Sequence, residues 1–62
     1  MRSEITKHLS ETVKELERYE LYYKNALNSI LVDEDLIHFN RLKIQKLKVE
    51  VREIVNSLLL NI

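Results

Sequence analysis

Residues 30–37 read ILVDEDLI, and the reading of these eight residues decides the fold. If a helix runs through them, the chain is one rod. If the chain turns within them, two helices fold back on each other. Ile30 and Ile37 belong to a longer series of Leu9, Leu16, Tyr23, Ile30, Ile37, Ile44, Val51 and Leu58, seven residues apart and all apolar. Such a repeat keeps one stripe of a helix turned toward a partner helix. The stripe passes through the acidic stretch in phase, so an uninterrupted helix of about 93 Å, paired in a coiled coil, is one candidate.

Three features favour a turn. Asp33, Glu34 and Asp35 are the residues of a helix start: an aspartate caps free amides, and acids in the first turn suit the helix dipole. Asp33, Glu34 and Asn40 also lie on or beside the seam. The side of the stripe changes as well, because Val13 and Leu27 flank the seam before the acids, whereas Leu47 and Ile54 flank it from another column afterwards. The expectation is an all-α antiparallel helical hairpin, with a helix over 3–31, a turn at 32–35 and a second helix over 35–60. A hairpin of this size is about 40 Å long.

The first helix has its stripe at Ile5, Leu9, Val13, Leu16, Tyr19, Tyr23, Ala26, Leu27 and Ile30, in steps of three and four. Ser3 is read as its N-cap, and Asn28 or Ser29 as helping to end it. Glu20 falls on the inner edge, as a carboxylate reaching the rim or as a polar register-setter. In the second helix Asn40 and Asn61 share the column of Leu47 and Ile54. Asn40 is read either as a buried partner-choice device or as a solvent-facing residue near the helix start.

A chain of 62 residues buries only a modest core and usually needs a disulfide, a metal, a partner or very good helix packing. Cysteine, glycine and proline are all absent, so no disulfide is available and phosphate-cradling glycine loops are missing. Association is the remaining route. Leu21, Tyr22, Phe39, Leu42, Val49 and Leu60 lie off the main stripes, and two helices facing only each other leave them in water. A homodimer forming a four-helix bundle covers them, with Leu9, Leu16, Tyr23, Ile37, Ile44, Leu47, Val51 and Ile54 as its core. In length and topology alone this is similar to the small dimeric hairpins of the plasmid repressor-of-primer type, a likeness that carries over no site residue.

Ten basic and ten acidic residues cancel overall but not locally. Residues 1–35 carry five bases against eight acids, and residues 36–62 five bases against two acids, so the halves are −3 and +3. They attract when folded antiparallel, within one chain or between two.

The residue inventory argues against an enzyme. Two histidines and no cysteine or glycine leave no activated nucleophile with an oxyanion hole. Glu4, His8, Glu11 and Glu15 share one helix face, as carboxylate and histidine ligands do in metal-binding bundles. The same spacing is that of an ordinary solvated face, and neither a metal nor a cofactor is expected. His38, Arg41, Gln45, Lys48 and Arg52 form a stripe on the second helix that suits phosphate contact through Arg41, Lys48 and Arg52. No aromatic residues for base stacking alternate with it.

The leading expectation is a small adaptor or regulator acting through a protein partner, with Tyr22, Phe39 and Leu42 as contact residues. A nucleic-acid-binding regulator and a structural oligomerisation module are the alternatives. His8, Glu4 and Glu11 stand where the apolar core of a secretory signal would lie, and the longest apolar runs are Ile30–Val32 and Leu58–Leu60, far short of a membrane span. A cytoplasmic protein is expected.

Overall fold

The computed structural model describes residues 2–60, and over these the chain is a two-helix hairpin. Helix α1 spans Arg2–Leu27 and helix α2 spans Glu34–Leu60. They pack along their length into a body of 48 × 14 × 11 Å. The continuous rod is therefore not the fold, since its length would be about twice that. Asn61 lies outside the described residues.

The turn is built without glycine, and no described residue has a positive φ. Helix α1 stops at Leu27, four residues earlier than its apolar spacing suggests. The amide of Asn28 donates to the Lys24 carbonyl at 3.2 Å, and the amide of Ser29 tightens onto Ala26 at 3.4 Å. The Ser29 hydroxyl then donates to the Leu31 carbonyl at 3.0 Å. Serine ends helices this way, by offering the backbone a competing hydrogen bond. Ile30 keeps the phase of the seam but is fully exposed at the tip of the turn. The agreement of its spacing with the stripe is thus not structural.

Helix α2 begins as the acids imply. The Leu36 amide donates to Asp33 Oδ1 at 3.1 Å, and the Ile37 amide donates to the Asp33 carbonyl at 3.1 Å. Asp33 is the N-cap, and Glu34 and Asp35 fill the first turn. Asp33→Ala is expected to cost about 1 kcal/mol and lower the midpoint of a circular-dichroism melt by about 4–8 °C. Asp33→Asn keeps the acceptor and should melt close to wild type. Ser3, in contrast, lies inside α1, because the helix already includes Arg2.

The core differs from the expected seam by one helical step. Its buried residues are Thr12 and Ala26 on α1 and Asn40, Leu47 and Ile54 on α2. Each set falls on a seven-residue column, with half-buried Tyr19 completing the first. The buried positions 12 and 26 of α1 carry small side chains, as a helix contact centre favours. Thr12 tolerates burial because its hydroxyl donates to the His8 carbonyl at 2.8 Å. Of the expected core, Leu47 and Ile54 are central, while Leu9, Leu16, Tyr23, Ile37, Ile44 and Val51 are half-buried beside the contact.

Candidate protein-binding surface

The hairpin has two flanks of different chemistry. On the first, Tyr19 reaches out of the contact and organises an aromatic group. Its ring meets Tyr22 edge-on at 5.6 Å and Phe39 at 6.5 Å, so the group bridges both helices. Lys43 Nζ sits 5.6 Å from the centroid of Tyr19 and 4.0 Å from Glu15 Oε1. That ion pair is long and partly solvated and adds little stability. Phe39, Leu42, Lys43 and Lys46 line a shallow groove alongside.

Tyr22, Phe39 and Leu42, the expected contact residues, are each about half exposed and belong to this flank. Tyr22 and Phe39 come together through Tyr19, which sequence spacing marks only as a stripe residue. Leu36 and Val49 add further exposed apolar surface on α2.

Toward the turn, this flank contains a cleft of about 350 Å³. Tyr22, Ala26, Leu31 and Leu36 supply apolar wall, and Asn25, Ser29, Asp33 and Asn40 supply polar groups. Asn40 is 2 % exposed, which selects the buried reading of this residue. Its Nδ2 has no hydrogen-bond partner. A buried amide in that condition weakens the fold by about 1–3 kcal/mol.

The second flank carries the charged stripe. Glu20, Tyr23, Arg41, Ile44, Gln45 and Lys48 line one open groove of about 320 Å³. Glu20 is exposed at its edge, so it is a rim residue and not a core register-setter. Arg52 is exposed further along the same strip of α2, as is His38 at its other end. The basic stripe therefore borders the half-buried seam residues and faces an acid across the groove.

Among the described residues, no group of three or more histidine, aspartate or glutamate side chains is arranged to hold a metal ion. Among them too, no helix is long and apolar enough to cross a membrane. No protein-family model matches the chain, and neither a curated protein nor a solved structure is significantly similar to it.

Proposed function

We propose that this hairpin is a non-enzymatic adaptor or regulator that self-associates into a helical bundle and captures a protein partner on its aromatic flank. The observation that carries the reading is the amount of large apolar surface left uncovered on both flanks. Phe39 is 55 % exposed and Tyr22 47 %, while Ala26, Leu47 and Ile54 are the buried apolar residues of the described chain. The accessible surface is 5203 Å². A compact monomer of the same mass exposes about 4,200 Å². The excess of roughly 1,000 Å² is comparable to the 800 Å² or so that one partner contributes to a stable interface.

Tyrosine and phenylalanine supply large contact areas at low entropic cost, which supports the aromatic flank as the partner surface. The second reading, a nucleic-acid-binding regulator, draws on the exposed line of Arg41, Lys48 and Arg52. Zero net charge and the presence of Glu20 in the same groove weigh against it.

Capture of tagged protein from a lysate of its own cells, with and without nuclease, tests the choice. The expected result is one protein partner that survives nuclease and is lost at least tenfold, or about 1.4 kcal/mol, from a Phe39→Asp/Leu42→Asp variant that is still helical. Nucleic acid recovered instead, and lost from an Arg41→Ala/Lys48→Ala variant, would overturn the adaptor reading.

A further inference from the structure

On the basis of the proposed self-association, we infer that a second copy docks on the seam flank with its two-fold axis along the hairpin, so that both turns lie at the same end. Tyr23 and Ile44 share one groove on that flank. Leu9 and Leu16 follow Tyr23 down α1, and Val51 and Leu58 follow Ile44 along α2, at seven-residue steps that drift only about 20° each. All six are half-buried. They form a continuous apolar strip that the hairpin alone covers on one side. On the other flank Tyr22, Leu36, Phe39 and Leu42 gather toward the turn, and Val49 beyond the middle of α2 does not extend them into a strip of this length.

The charges bordering the strip select the orientation. The α1 rim carries Glu17 and Glu20, with Lys24 one turn nearer the loop, and the α2 rim carries Arg41, Lys48 and Arg52. Two copies can pack these faces together in two symmetric ways. With the axis across the helices, α1 lies on α1 and α2 on α2, with levels inverted about the middle. Lys48 then approaches Lys48 of the second copy, and Arg41 approaches its Arg52, which is repulsive. With the axis along the helices, each α1 lies antiparallel on the other copy's α2 and levels are kept. Glu20 lies level with Arg41 and Lys48 in its own groove, so it meets Arg41 and Lys48 of the second copy. At the level of Glu20 acid then faces base on both sides, with Lys24 displaced toward the loop, and this arrangement favours one register over its competitor.

The absence of cysteine permits one unique spin label at Ile30→Cys, a fully exposed turn residue. Sedimentation equilibrium should first show a dimer. Pulsed dipolar spectroscopy should then give a label separation of roughly 15–30 Å, because neighbouring helices lie about 8–10 Å apart and the labels add their reach. Glu20→Lys should weaken dimerisation about threefold to tenfold, and adding Arg41→Glu should restore it. Both sites are exposed, so folding is preserved. A dimer with labels near 48 Å, the length of the hairpin, would overturn the orientation and leave self-association standing. A dimer indifferent to the charge reversals, or one dissociated by Phe39→Glu, would overturn the choice of flank. A monomer at millimolar concentration would overturn self-association itself.

Discussion

Leu47→Ala is expected to destabilise the protein by about 2–5 kcal/mol, the range for truncating a well-packed leucine. Leu47 is 2 % exposed and sits midway along the α2 column between Asn40 and Ile54. It is the large apolar side chain at the middle of that column, with Asn40 and Ile54 one seven-residue step to either side. In a domain this small, 1 kcal/mol moves the melting midpoint by about 4–8 °C, so a loss of well over 10 °C is expected. Total stabilities of small domains are of the same order as this loss, so the variant should be substantially unfolded at 37 °C. A circular-dichroism melt measures it. A shift under 5 °C would mean that the Leu47–Ile54 column is not what holds the helices together.

Asn40→Leu should act in the opposite direction. The wild-type side chain is buried with an amide nitrogen lacking an acceptor. Removing that group relieves the desolvation penalty, and the adjoining cleft has room for the extra methyl groups. A gain of about 1–3 kcal/mol is expected, or roughly 4–24 °C in the melting midpoint. If the amide serves specificity, the stabilised variant should also populate extra oligomers in sedimentation velocity, as loss of a seam asparagine does in coiled coils. A lower melting midpoint would sink the penalty argument. It would indicate that a water in the cleft satisfies Asn40, a role such waters commonly have.

These two residues also show what the sequence disclosed. Leu47 and Ile54 are large, aliphatic and periodic, and their burial follows from spacing. Asp33 as a cap follows from its side chain and the acids after it. Ala26 was legible as a stripe residue, but Thr12 escaped the pattern because the centre of a helix contact selects for small size, not for hydropathy. The apolar seam through Leu9, Leu16 and Tyr23 was legible, but its displacement to one side of the contact was not. Which edge of a stripe faces the neighbour depends on how near the two backbones come. The end of α1 was legible only in part: Asn28 and Ser29 were read as helping to end it, but Ile30, Leu31 and Val32 continue the apolar character past the last helical turn and drew the expected end to residue 31.

The candidate surface divides in the same way. Tyr22, Phe39 and Leu42 stood out because they lie off the stripe. The cleft beside Asn40 did not, because it is assembled from the end of α1, the turn and the start of α2 together.

The hairpin's antiparallel pairing sets a gradient in the entropy of assembly. Ala26 and Asn40, which border one cleft, are 14 positions apart in the chain, whereas Thr12 and Ile54, the core residues nearest the free ends, are 42 apart. Threefold longer loops cost about 1 kcal/mol more to close. The turn end is therefore the least costly place for the two helices to meet first, and each contact made there shortens the loop the next one has to close. The aspartate that caps α2 and the hydroxyl that ends α1 sit at this low-cost end, so the six residues between the helices are expected to influence the folding rate more than the little surface they bury would suggest.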